Sequence, residues 1–262
     1  MRWLGALRGH LYAPLTVCAV LVAWEAGVRL FRVPPYLLPA PTVVLAEVGR
    51  KWQLLLVHAG TTIGEVLLGF LLSAFVGILL GLAVVSSRAV EQGVYPILLS
   101  AQTIPKVAVA PLLVIWFGFG VLPKILIIFL VAVFPIVINT VVGLRMVTPE
   151  LVYLIRSMGG GRAEVLRRVS LPMAMPAVFA GLKVGAALAV VGAIVGEFVG
   201  ADRGLGYLLT VASGNMDAKL LFATLVVLSA FGLLFFLLVE VAEWAILPWN
   251  RGRSATLRLD QV

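Results

Sequence analysis

Apolar residues in this chain come in long blocks rather than in short alternating runs. The blocks are Leu11–Leu30, Gly60–Val85, Gly93–Phe117, Lys124–Val147, Ala177–Val199 and Lys219–Leu247. Each is about as long as the roughly 20 residues that cross the hydrocarbon layer of a bilayer at about 1.5 Å rise per residue. In hydrocarbon a backbone must satisfy its own hydrogen bonds, and long apolar blocks do so as helices. The pattern predicts an all-α polytopic membrane protein with about six transmembrane helices, forming one transmembrane domain over residues 1–262.

The polar intervals are short. Phe31–Val57 holds Pro34, Pro35, Pro39 and Pro41. It is expected to be extended first, and then to form a surface helix over Val43–Val57 lying along the outer membrane face. Ser86–Gln92, Gly118–Pro123 and Gly200–Ala218 are expected as loops. Leu11–Leu30 is long and lacks a small-residue cleavage site after it, so it is read as an uncleaved first span rather than a signal peptide.

Composition agrees with this picture: 62% of residues are apolar, 12% are charged and the mean hydropathy is +1.12. Soluble domains run nearer 45–50% apolar and about 25% charged. A net charge of +8 raises the question of nucleic acid. The basic residues sit at block ends, however, where the positive-inside rule accounts for them, and no nucleic-acid partner is expected. The basic residues of one set of intervals, among them Arg88, Arg156, Arg162, Arg167 and Arg168, outnumber those of the other set. Both termini are therefore expected in the cytoplasm. Cys18 is the single cysteine, so no intrachain disulfide can form. His10 and His58 are isolated, which gives metal chemistry no support.

Polar residues inside spans are candidates for a solute path. The third block carries Pro96, Pro105 and Pro111 with Gln102, Thr103 and Lys106. Broken spans of this kind often line transport paths, although packing alone explains any one of these prolines as well. Asn139 lies in the fourth block, and Lys183 and Glu197 share a face of the fifth, close to four turns apart. The pairs Gly60/Gly64, Gly77/Gly81 and Gly181/Gly185 have the small-xxx-small spacing of close helix contacts.

No phosphate-cradling G-x-x-x-x-G-K-[ST] loop is present, since none of the lysines follows a glycine. A nucleophile elbow is absent too. No catalytic residue and no cofactor are assigned to this chain.

The most distinctive interval is Arg156–Pro176, RSMGGGRAEVLRRVSLPMAMP. Gly159, Gly160 and Gly161 should turn the chain. A short helix over Ala163–Val169 should follow, with Glu164 and Arg168 paired at i,i+4 and Pro172 and Pro176 closing it. Gly159, nine residues, then Val169-Ser-Leu171-Pro172 resembles the "EAA" signature of the membrane permease subunits of bacterial ABC importers. The Glu-Ala-Ala positions themselves hold Tyr153, Leu154 and Ile155. Trp116-Phe117-Gly118, Gly181 and Gly204-Leu205-Gly206-Tyr207 extend the resemblance to the nitrate/sulfonate/taurine branch, whose relatives include permeases for pyrimidine precursors and riboflavin. It covers about Leu38 to Trp249.

The resemblance implies a type I ABC importer permease fold in the bacterial inner membrane. It implies a cytoplasmic coupling loop at about 148–172, with Met158, Gly159, Arg162, Glu164, Val165, Arg168 and Pro172 meeting an ATPase. It further implies two ATPase subunits that bind ATP and Mg, a second permease copy, and an extracytoplasmic solute-binding protein. The solute would be small and polar or anionic. The rival reading is a secondary transporter driven by ions through Glu65, Glu197 or Glu240, all expected near exposed span ends. A structural membrane anchor fits the composition but not the interrupted third block.

Overall fold

The computed structural model describes residues 2–250, with side chains described at 12 and 14–249. The basic residues expected in the two tails, Arg2, Arg8, Arg251, Arg253 and Arg258, lie outside the described side chains, as does His10. Among the described residues every regular element is a helix. Four helices are long and apolar enough to span a membrane: α3 (Trp52–Ser86), α6 (Val121–Arg145), the helix Arg162–Gly200, and α11 (Ala218–Ile246). Helices α4 (Arg88–Ala101) and α5 (Lys106–Phe117) pass the same test together and meet at a bend of 98°, the geometry of a broken span or a re-entrant loop. Helix α1 (Arg2–Leu30) runs through the apolar block expected to be the first span.

Several boundaries differ from the sequence expectation. The surface helix expected over Val43–Val57 is α2 (Pro41–Arg50), which ends at Lys51. The residues beyond Lys51 already belong to α3. The loop expected over Ser86–Gln92 shrinks to Ser87, where extended backbone separates α3 from α4. Of the three prolines in the bent span, only Pro105 sits at the break, while Pro96 and Pro111 lie inside helices. The loop expected over Gly200–Ala218 contains a helix, α10 (Leu205–Gly214), whose Leu205, Leu208, Leu209 and Ala212 are buried. Its apolar positions were read as loop because the segment is too short to span.

The described chain forms two compact units. In the first (2–60 and Arg203–Ser229), Val44, Leu55, Leu208, Ala212, Leu220 and Ala223 form the core. Gly204 begins α10 with φ +121°, and its N–H donates to His58 Nδ1 at 3.1 Å. At the surface of this unit Lys51 bonds both Glu47 (2.9 Å) and Asp217 (3.1 Å).

The second unit (Thr61–Asp202 and 230–250) is built around α6. Helix α3 presents Gly69, Gly77 and Gly81 to it. A Cβ on these glycines would come within 2.5–2.8 Å of Ile128, Ile136 and Thr140 side-chain atoms. On its other side α6 meets α9 (Leu171–Gly200). There Gly181, Gly185 and Gly192 approach Asn139, Ile136 and the Ile128 backbone just as closely. Without a hydrophobic force between helices in lipid, such close backbone approach is what holds spans together. Gly77/Gly81 and Gly181/Gly185 are therefore true contact pairs. Gly60 and Gly64, the third pair, face open space.

Candidate functional site

The coupling interval is a helix, a glycine turn and a second helix. The first helix, α7 (Pro149–Ser157), was not expected from sequence. Thr148 is extended at its N-cap and Pro149 takes the first position, where its missing N–H costs nothing. Its C-terminus closes as a Schellman motif. The Gly159 N–H donates to Arg156 O at 3.0 Å, and the Gly160 N–H donates to Ile155 O at 2.9 Å. Gly159 has φ +85° with nothing within 4 Å of a Cβ, so the backbone shape alone demands glycine there. Gly160 is required for a different reason, since a Cβ would stand 2.5 Å from Ile155 Cγ2.

Helix α8 (Arg162–Val165) follows, and Arg168 pairs with Glu164 at 2.9 Å, as the spacing predicts. The helix does not stop at Pro172, which corrects the expectation. It passes through one π turn over Leu166–Ser170 straight into α9, giving a continuous helix Arg162–Gly200. Pro172 offers no N–H and its ring crowds the preceding turn. The Leu171 N–H reaches back five residues to Leu166 O, and the wider turn accommodates the proline.

This hairpin leaves an apolar patch in the open. Tyr153 and Leu154 on α7 and Met158 at the turn are exposed, Met158 by 76%. Val165 is half-buried. Gly161, Ala163, Glu164, Arg167 and Arg168 line an open concavity of about 680 Å³. Tyr153 and Leu154 escaped the sequence reading because they occupy the Glu-Ala-Ala positions that this chain replaces. Their period along α7 was the available signal.

The candidate path residues fall in four separate places. Gln102 and Thr103 lie in the break between α4 and α5. Lys106 Nζ donates to Gln102 O at 3.1 Å and stands 4.9 Å from the centre of the Phe134 ring on α6. Asn139, further along α6, donates from Nδ2 to Pro135 O at 2.8 Å and packs against Gly181 of α9. Lys183 pairs with Glu243 of α11 at 2.5 Å. Glu197 belongs to a different cluster altogether, near the far end of α9.

In that cluster Lys124 Nζ is 2.7 Å from Glu65 Oε1, and the Thr62 hydroxyl donates to Glu197 Oε1 at 2.6 Å. Glu65, Lys124 and Glu197 are 3%, 4% and 2% exposed. Exposure at span ends was expected for Glu65 and Glu197. Of the three carboxylates considered there, only Glu240 is exposed. Lys124 begins its apolar block, which made it look like a flanking charge, and the folding of α3 and α9 around α6 buries it. Among the described residues no group of three or more His, Cys, Asp or Glu side chains could hold a metal ion.

Among the described residues, long apolar helices and a hairpin with an exposed apolar patch between two of them define a helical multi-pass membrane protein. Residues 54–246 match the model of the "binding-protein-dependent transport system inner membrane component" family, and the chain belongs to it. It is 39% identical over 242 residues to the riboflavin transport system permease protein RibX of Chloroflexus aurantiacus, covering 90% of this chain and 89% of that protein. It is 35% identical to the formylaminopyrimidine transport permease protein ThiX of Halalkalibacterium halodurans (88% and 93% covered). To the taurine transport system permease protein TauC of Escherichia coli it is 28% identical (90% and 88%). In fold it resembles a chain of the inward-facing MetNI methionine ABC transporter, with a TM-score of 0.66 at 20% identity over 75% of this chain and 98% of that one. The protein is a multi-pass membrane permease subunit of an ABC importer, and the ion-driven secondary transporter is set aside.

Proposed function

We propose that the α7–Gly159–α8 hairpin is the element through which a separate ATPase drives this permease. The observation that carries the reading is the exposed patch of Tyr153, Leu154 and Met158, held on a Schellman turn that only Gly159 can make. Arg162, Glu164 and Arg168 would form the charged rim, with Tyr153, Leu154 and Met158 as apolar anchors. Because α8 runs unbroken into α9, a push on the hairpin moves a whole span rather than a loop.

In this reading residues 1–262 work as one permease domain, paired with a second copy about a two-fold axis. Two ATPase subunits hold ATP and Mg, the chain itself holds no cofactor, and a binding protein delivers solute from outside. Both termini and the hairpin face the cytoplasm. The path runs past the break at Gln102–Lys106 and past Asn139. The solute is a small polar molecule. A vitamin or vitamin precursor is favoured over a sulfonate, nitrate or taurine, because the riboflavin and formylaminopyrimidine relatives match at higher identity than the sulfonate, nitrate and taurine ones.

The test is co-purification of an ABC ATPase co-expressed with this chain, together with its activity in liposomes. Gly159→Asp should lose ATPase retention while the permease still inserts. Gly161→Ala, at φ −82° with open space around its Cβ, should keep it. Wild-type retention and hydrolysis in a Gly159→Asp/Met158→Asp double variant would remove the hairpin from the coupling role.

A further inference from the structure

The C-terminus of α1 closes as a Schellman motif, as that of α7 does, but with a different residue at its centre. The Val33 N–H donates to Val28 O at 3.0 Å and the Arg32 N–H to Arg29 O at 3.3 Å. The residue that this motif puts in the left-handed region is Arg32, at φ +50°. At the end of α7 the same place is held by Gly159. Glycine takes that conformation without steric conflict, whereas a side chain strains it. Arginine here lowers the stability of the turn, so its use lies in its side chain.

That side chain is exposed and has no acidic partner among the described residues. The other basic residues of α1's last turn and of the end of α2 are paired. Arg29 meets Glu25 at 2.6 Å, Arg50 meets Glu47 at 3.5 Å, and Lys51 meets both Glu47 and Asp217.

The segment around Arg32 is apolar and fixed. Leu30 and Phe31 are 77% and 78% exposed, and Tyr36 and Leu37 are 67% exposed. Glu25 closes the base of the loop by accepting from the Thr42 N–H at 3.0 Å and the Thr42 hydroxyl at 2.9 Å. Within it the Leu37 N–H donates to Pro34 O at 2.9 Å. Four large apolar side chains are thus held out from the core on a stiff loop. They continue from α1, whose Leu15, Val17, Val20 and Val22 are exposed as well. An apolar helix of that kind is covered by lipid, and its end lies at the level of the headgroups. Aromatic rings beside a basic residue suit that zone, where each side chain has an apolar body and a polar tip.

We propose that Phe31, Arg32 and Tyr36 form an interfacial anchor at the end of the first span, with the Arg32 guanidinium on the phosphate of an anionic phospholipid. A guanidinium can donate two N–H groups to one phosphate, which a surface ammonium cannot match in geometry. Leu30 and Leu37 enter the acyl boundary. The anchor sets the depth of α1 in the bilayer, and with it the depth of α2, which Glu25 ties to α1.

The full-length chain in detergent and in vesicles tests this. In detergent Arg32→Gly should melt no lower than the wild type, because glycine suits the backbone there. Vesicles of equal parts phosphatidylcholine and phosphatidylglycerol, compared with phosphatidylcholine alone, should raise the wild-type melting temperature by about 2–4 °C more than that of Arg32→Gly, the size expected of one arginine at an anionic surface. Arg50→Gln, which removes an exposed but paired charge, should keep the wild-type gain. A spin label on Tyr36→Cys in a Cys18→Ser background should be relaxed by oxygen in the bilayer and shielded from a water-soluble nickel complex. An equal gain in Arg32→Gly and wild type overturns the lipid contact, as does a gain that inorganic phosphate reproduces in detergent. An Arg32→Gly variant that melts lower in detergent assigns the arginine to the fold instead. A label at position 36 open to the nickel complex puts the loop in water, where a protein and not lipid would cover it, and overturns the anchor.

Discussion

Ile136 of α6 stands so close to Gly77 of α3 that a Cβ there would lie 2.8 Å from its Cγ2. On the opposite face of α6 the same side chain reaches Gly185 of α9, with Cδ1 2.9 Å from where a Cβ would be. One branched side chain thus fills the gap left by two glycines on two different helices. Gly77→Val or Gly185→Val should each destabilise the permease by about 1–3 kcal/mol through overpacking. Gly64→Ala, which faces open space, should be neutral or slightly stabilising, since alanine is the better helix former. Thermal unfolding in detergent reads both. Equal melting temperatures for Gly77→Val and wild type would mean that the helices do not pack at this distance.

Lys106 is the cation at the break of the bent span, and it is held over the Phe134 ring by its own backbone neighbour Gln102. Lys106→Ala should reduce solute uptake about tenfold or more while the assembled complex is retained, the size expected for losing one charged contact. Asn139→Ala should act in the same direction. Unchanged uptake in both variants moves the path away from this break.

Lys51 and Asp217 give the first unit a pH dependence. The hydrogen bond to Glu47 holds the Lys51 ammonium above its ordinary value, against the effect of partial burial and with further help from Asp217. Burial by itself pushes the Asp217 carboxyl up, but the Leu220 N–H and the Lys51 ammonium outweigh it and hold it below its ordinary value. A lowered carboxyl contributes stability above its unfolded value of about 3.9, lost as pH falls through the folded value. A raised amine contributes below about 10.4, lost as pH rises through its folded value. Asp217→Asn should therefore lower the melting temperature slightly at pH 7, and this loss should shrink as pH falls below about 3.9. The effect is small because both groups are only partly buried and remain in reach of solvent. An equal loss across that pH range would assign the effect to packing instead.

Much of this protein was legible from the order of its residues. Helical spans follow from block length, because the bilayer leaves the backbone no other partner than itself. The turn at Gly159 and the Glu164–Arg168 pair follow from local spacing. Helix α7 was missed because the Glu-Ala-Ala positions hold Tyr153, Leu154 and Ile155, so no motif marked its short amphipathic stretch. The unbroken run from Arg162 to Gly200 was missed because Pro172 reads as a stop, and only the π turn before it shows how a helix can pass through.

What the tertiary structure alone decided is which charges meet. Lys183 and Glu197 share a helix and a face, yet Lys183 turns to Glu243 and Glu197 to Thr62. Lys124 looked like a flanking charge and became the centre of a buried cluster. Sequence determines where a span begins and which residues are small, because both are local properties of the chain in lipid. It does not determine which spans stand side by side. Glu65 and Lys124 are 59 positions apart, and Thr62 and Glu197 are 135. No local rule links residues at such distances until the glycines of α3 and α9 have closed on α6.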